Sequence, residues 1–211
     1  APTVQPSATP TPAPTPTVQP SATPNPIGSN FTDLGKVAWA VSAIQELAAK
    51  GILQGVSDNS FAPLKEVTRA EFITMIVRAF DLLDVNSPAA FSDVKASDWS
   101  YGYIASGVKN GLINGVGNGR FDPNRAITRE EMAIIVSNAL KKFKGKSVND
   151  TKAALANFKD QATIAAYGKE AVALLTQEGI VQGLTADTFG PKNIANRAQA
   201  AVIIDRMLKL N

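Results

Sequence analysis

The chain has 211 residues, 45% of them hydrophobic, and a formal net charge of +3. That is enough apolar material for one respectable core, and too little positive charge for a nucleic-acid surface with its basic stripe and stacking aromatics. Cysteine and histidine are both absent, which excludes disulfide staples, thiolate metal sites and the most versatile general acid–base group.

Residues 1–30 contain no charged residue and nine of the 13 prolines, and they repeat TVQPSATP at Thr3–Pro10 and Thr17–Pro24. A Pro/Thr/Ser tract of this kind buries too little apolar surface to fold and favours extended conformations. It reads as a linker. With nothing before it, the expectation is a fragment of a larger protein whose upstream domain is missing. No signal peptide is present, and no apolar run is long enough to cross a membrane.

Three units follow, over residues 31–90, 91–157 and 158–211. The first runs Phe31-Thr32-Asp33, Trp39, Gly51-Ile52-Leu53-Gln54-Gly55, Phe61-Ala62-Pro63. The second has Phe91-Ser92-Asp93, Trp99, Gly111-Leu112-Ile113-Asn114-Gly115 and Phe121-Asp122-Pro123. The third has Phe158-Lys159-Asp160, Tyr167, Gly179-Ile180-Val181-Gln182-Gly183 and Phe189-Gly190-Pro191, after an insertion around residues 145–157. Recurrence of several separate landmarks in one order marks an internal repeat. Each unit predicts helix–loop–helix, with a first helix over Val37–Lys50 in unit one. Its glycine-bounded stretch predicts a short loop or β-bridge, and Phe-x-Pro an extended approach to the second helix. A short extra helix is expected over Asn149–Ala156. The Asp of each Phe-x-Asp reads as a helix or turn cap.

Every second helix opens on one phrase: Thr68-Arg69-Ala70-Glu71, Thr128-Arg129-Glu130-Glu131, Asn196-Arg197-Ala198-Gln199. Each is a capping box, and apolar residues follow it at i, i+3, i+4 spacing. Three such stripes are too wide to leave exposed, which predicts an all-α fold around a central three-helix bundle with approximate threefold symmetry. The cap does not explain the arginine, because a cation beside a helix N-terminus is mildly unfavourable. Two readings stand: an external anion bound at the three helix starts, helped by Lys65 and Arg125 in two units, or an ordinary surface pairing with Asp or Glu. Trp39, Trp99 and Tyr167 likewise divide between packing and stacking on a sugar. Glu130 and Glu131 point in different directions on a helix and read as structural. Asp58-Asn59-Ser60 and Asn118-Gly119-Arg120 do not continue into a calcium loop. No metal or cofactor is expected.

Phe-x-Asp, Trp, Gly-Ile-x-x-Gly, Phe-x-Pro and Thr-Arg-Ala-Glu in three tandem copies resemble the S-layer homology (SLH) module, over roughly Phe31 to Leu210. The resemblance implies a pseudo-threefold assembly whose inter-repeat grooves bind secondary cell-wall polysaccharide, often through a pyruvyl ketal. Its site residues carry over as Gln54, Gly55, Lys65 and Arg69 closed by Trp99; Gly115, Arg125 and Arg129 closed by Tyr167; and Gly183 and Arg197 closed by Trp39. Unit three departs from the pattern at Tyr167, Asn193, Asn196 and Gln199, so the third groove is expected to be weakest. The implied role is non-catalytic anchoring of an extracellular surface protein to the wall, without membrane insertion or nucleic acid. The alternatives are a helical repeat that binds neighbouring proteins in a surface lattice and, more remotely, a glycan-cleaving enzyme.

Overall fold

The computed structural model describes residues 31–89 and 91–211; the linker expected over residues 1–30 lies outside them. Seven α-helices are present among the described residues: α1 (Val41–Ala49), α2 (Arg69–Ala79), α3 (Tyr101–Lys109), α4 (Arg129–Lys144), α5 (Thr151–Leu155), α6 (Lys169–Gln177) and α7 (Arg197–Lys209). The fold is all-α: the described residues form isolated β-bridges and no strand. Among the described residues, no helix is long and apolar enough to cross a membrane.

The three capping boxes form as their letters require. Thr68, Thr128 and Asn196 accept from the backbone N–H of Glu71, Glu131 and Gln199, whose side chains reach back to the cap N–H. Asp150 caps the short helix α5 in the insertion. The first helix of unit one differs from expectation. Gly35–Ala40 forms short 3-10 turns interrupted by a kink at Val37 (φ −130°, ψ 44°), and α-helical geometry begins only at Val41. Leu34, Val37 and Ala40 are buried before, at and after that kink.

Helices α2, α4 and α7 each touch the other two and supply Phe72, Ile76, Met132, Val136, Ile204 and Met207 to the common core. The first helix of each unit does not pack mainly on the second helix of its own unit. Instead α3 packs on α2, α6 on α4, and α1 on α7. This handover explains why α2 is buried continuously from Phe72 to Val77: one side faces the bundle and another receives α3.

Backbone hydrogen bonds close the same cycle. Val67 N–H donates to Ala195 O, Ala195 N–H to Ile127 O, and Ile127 N–H to Val67 O, at 3.1, 3.0 and 3.0 Å. Bridges Thr68–Ala126, Thr128–Ile194 and Glu66–Asn196 flank this ring. Outside it, Phe61, Phe121 and Phe189 are fully buried and tilt against Phe31, Phe91 and Phe158 at centroid separations of 5.4, 5.4 and 5.7 Å. Such aromatic pairs contribute about 0.5–1.5 kcal/mol each beyond their burial.

Candidate functional site

The Phe-x-Pro turn is not simply extended. Its middle residue takes positive φ, at 55° for Ala62, 57° for Asp122 and 70° for Gly190. The Asp of each Phe-x-Asp holds that turn. Asp33 accepts from the N–H groups of Phe61 and Ala62, Asp93 from Phe121 and Asp122, and Asp160 from Phe189 and Gly190. These carboxylates therefore cap a loop, the turn option of the sequence reading. With its N–H groups bound, each turn is left presenting the carbonyl of its Phe.

That carbonyl is where the arginine goes. Arg69 Nε donates to Phe121 O, Arg129 Nε to Phe189 O and Arg197 Nε to Phe61 O, all at 2.9 Å. Each guanidinium also lies over the same phenylalanine ring, at 4.6, 4.9 and 4.5 Å from the centroid. Arg129 Nη2 adds a bond to Gln182 O at 2.9 Å, and Arg197 Nη2 one to Gln54 O at 2.6 Å. The three residues are only 5–6% exposed, and burial lowers the pKa of each from its ordinary value. They remain charged at neutral pH. The arginines thus fasten each unit to the next, a role that neither sequence reading contained.

The fastening regroups the expected site residues. Arg69 lies with Phe121 and Arg125 of the next unit rather than with Gln54, Gly55 and Lys65 of its own. Arg129 lies with Gln182, Gly183 and Asn193, and Arg197 with Gln54, Gly55 and Lys65. The reason is the handover of elements: an arginine at the start of α2, α4 or α7 crosses the bridge to the loop of the following unit. The departures at Asn193 and Gln199 consequently fall on the groove between units 2 and 3, whereas the groove of Arg197 keeps the residues of unit 1. Gly55, Gly115 and Gly183 leave no room for a Cβ, which would strike backbone carbonyls and, at Gly55 and Gly115, a phenylalanine ring. They shape the loop rather than touch a ligand through a side chain.

Each clamp leaves something over. Arg69 Nη2, Arg129 Nη1 and Arg197 Nη1 make no hydrogen bond among the described residues, and none of them is a buried orphan. Each guanidinium therefore keeps one unbonded terminal nitrogen that is not fully sealed, while Arg69 Nη1 is already bonded to Glu131 at 3.1 Å. Lys65 is exposed and forms no ion pair among the described residues, while Arg125 binds Glu131. Trp39 and Tyr167 are 59% and 73% exposed; Trp99 is half-buried against the core. The Tyr167 hydroxyl lies within electrostatic range of Arg125 and Lys192. Near Arg197, an open depression of about 460 Å³ is lined by Asp33, Lys36, Leu64 and Lys65.

Several contributors escaped the sequence reading. Val56, Val116 and Leu184 are exposed apolar residues directly after the loop glycine of every unit, a recurrence that was visible in the sequence. Lys192, one step out of register with Lys65, binds Glu130, whose buried carboxylate also accepts from Ala165 N–H. Glu130, read from the sequence as structural, is thus a buried partner for Lys192, a contact that Ala70 and Ala198 do not offer in the other units.

A family model described as the S-layer homology domain matches residues 30–73, 90–133 and 157–201. The chain is 37% identical over 182 residues to an exoglucanase of Acetivibrio thermocellus, covering 85% of this chain and 16% of that protein. It is 39% identical over 183 residues to an amylopullulanase of Thermoanaerobacterium thermosulfurigenes, with coverage of 85% and 9%. An S-layer protein of Bacillus thuringiensis subsp. finitimus is 37% identical over 178 residues, with coverage of 84% and 21%. The chain thus spans about a fifth or less of the length of these relatives. Modules of this type belong to extracellular, cell-wall-associated proteins of the cell surface. With three matched repeats covering more than half of its length, the chain belongs to the S-layer homology domain family.

Proposed function

We propose that the chain anchors a surface protein to the bacterial cell wall by binding secondary cell-wall polysaccharide in the grooves between repeats, with a pyruvyl carboxylate as the group read by arginine. The observation that carries this reading is the open terminal nitrogen on each clamped guanidinium. In Arg129 and Arg197 the remaining donors are already fixed by protein carbonyls and the face by a phenylalanine ring, so a carboxylate meets a pre-organised donor. In Arg69, by contrast, one terminal nitrogen is already held by Glu131. Exposed Trp39 and Tyr167 and the apolar Val56, Val116 and Leu184 offer surfaces for a sugar face. The role is adhesive rather than catalytic: the carboxylates at the helix starts and turns are engaged in caps, turns and ion pairs.

Several modest grooves on one rigid body, facing a repetitive polymer, gain retention through effective concentration. The test is titration calorimetry with purified pyruvylated secondary polysaccharide and with the same polymer after removal of the ketal. Lys65→Ala is the informative variant, because Lys65 is exposed and unpaired among the described residues. Loss of the ketal and loss of Lys65 should each weaken binding by about fivefold or more. Equal affinity for both polymers would remove the pyruvyl carboxylate from the account.

A further inference from the structure

The three grooves differ at two neighbouring places, the residue that completes the capping box and the cation beside it (Lys65, Arg125 or Asn193). In the groove between repeats 1 and 2 the box residue is Glu131, whose Oε1 receives Arg69 Nη1 at 3.1 Å and Arg125 Nη2 at 2.6 Å. Its Oε2 accepts from Arg125 Nη1 and from the Thr128 N–H at 3.2 and 3.0 Å. In the groove between repeats 2 and 3 the same position is Gln199, and Arg129 has no ion-pair partner among the described residues. In the groove between repeats 3 and 1 it is Glu71. That residue closes its own box at 2.9 Å but forms no ion pair with Arg197 or Lys65.

We propose that Glu131, held by Arg125, occupies the anion position of the groove between repeats 1 and 2, and that the box residue and the cation beside it together set, groove by groove, whether an anionic sugar finds an open guanidinium. The proposal rests on the reading of the arginine grooves as anion sites. A carboxylate held by two arginines is a ready-made imitation of the ligand, and an incoming anion must displace it. In the other two grooves no carboxylate is ion-paired to the arginine among the described residues, although Glu71 lies within electrostatic range of Arg197. Among the described residues the chain therefore carries one self-occupied groove and two whose arginine has no ion-paired carboxylate, and the groove that joins the two ends of the repeat array also offers the unpaired Lys65.

Glu131→Gln tests this cleanly, because Gln199 shows that glutamine completes the same box in this protein. The readout is the proton–nitrogen signal of each Arg Nε–H during titration with sodium acetate. In the unmodified protein the signals of Arg129 and Arg197 should move while that of Arg69 stays. In E131Q the Arg69 signal should join them, with apparent affinity raised about tenfold. The reciprocal variant, Asn193→Arg with Gln199→Glu, should silence Arg129. An Arg69 response equal to the others in the unmodified protein would overturn the proposal, as would no response at any arginine in either protein. A parallel titration with pyruvylated polysaccharide separates the two readings: a full acetate pattern with no polymer response would sink polysaccharide binding alone.

Discussion

Arg129 makes two hydrogen bonds to carbonyls of the next repeat from a position that is 6% exposed. Hydrogen bonds from a charged donor contribute about 1.5–3 kcal/mol each. Arg129→Ala should therefore lower stability by about 2–4 kcal/mol as well as weaken binding. The sequence reading expects Arg69→Ala or Arg129→Ala to weaken binding with helix content nearly intact. The buried clamp adds a drop in Tm, visible by circular dichroism on heating. Lys65→Ala separates the two roles, since it should change affinity and leave Tm unmoved. The turn carboxylates make a pH prediction. Burial pushes the Asp33 and Asp93 carboxyls up, but the N–H groups of the Phe-x-Pro turn outweigh it and hold both below their ordinary 3.8. A carboxylate depressed in the folded state stabilises fully above its unfolded value, and that contribution is lost as pH falls through the folded one. Denaturant midpoints should hold steady down to about pH 5 and fall below about pH 4. A protein that gains stability on acidification would contradict this assignment.

Helix starts were the most legible elements, because a capping box and a stripe are written within a dozen consecutive residues. Thr128→Ala, which removes one acceptor from the Glu131 N–H, should cost about 1 kcal/mol with an unchanged m-value. The all-α class and the central trio of helices were equally legible, since α2, α4 and α7 repeat one apolar spacing. What the sequence could not show was which unit each element serves. Leu47 and Leu175 are buried in first helices by the same periodicity whether they meet their own unit or the preceding one. The handover of α3 to α2, α6 to α4 and α1 to α7 is a long-range choice that leaves no local signature. The family resemblance groups the site residues by unit, and this handover regroups them. The buried fate of the arginines escaped for a related reason: their partners are backbone carbonyls, which every residue has. The positive φ at Ala62 was masked because an ordinary alanine fills the position, and Asp33 supplies the constraint from 29 residues away.

Across the whole molecule, α1 on α7 and Arg197 on Phe61 join the beginning of the repeat array to its end. A linear array of repeats loses stability locally, whereas a closed ring transmits a loss to both sides. Arg197→Ala should therefore reduce hydrogen-exchange protection in repeat 1 as well as in repeat 3. The amides of Val67, Ile127 and Ala195, which close the central ring, should exchange slowest. Closure also fixes the three grooves relative to one another, the condition for several weak contacts to act together on one polymer. The central claim is that this body holds to the secondary polymer of the wall. Its most direct test is co-sedimentation with purified sacculi of Bacillus thuringiensis subsp. finitimus, before and after hydrofluoric acid strips the secondary polysaccharide. The account predicts that the protein pellets with intact sacculi and stays in solution with stripped ones. Equal pelleting with both would place the ligand in peptidoglycan, and pelleting with neither would favour a protein partner in a surface lattice; either result would contradict the account.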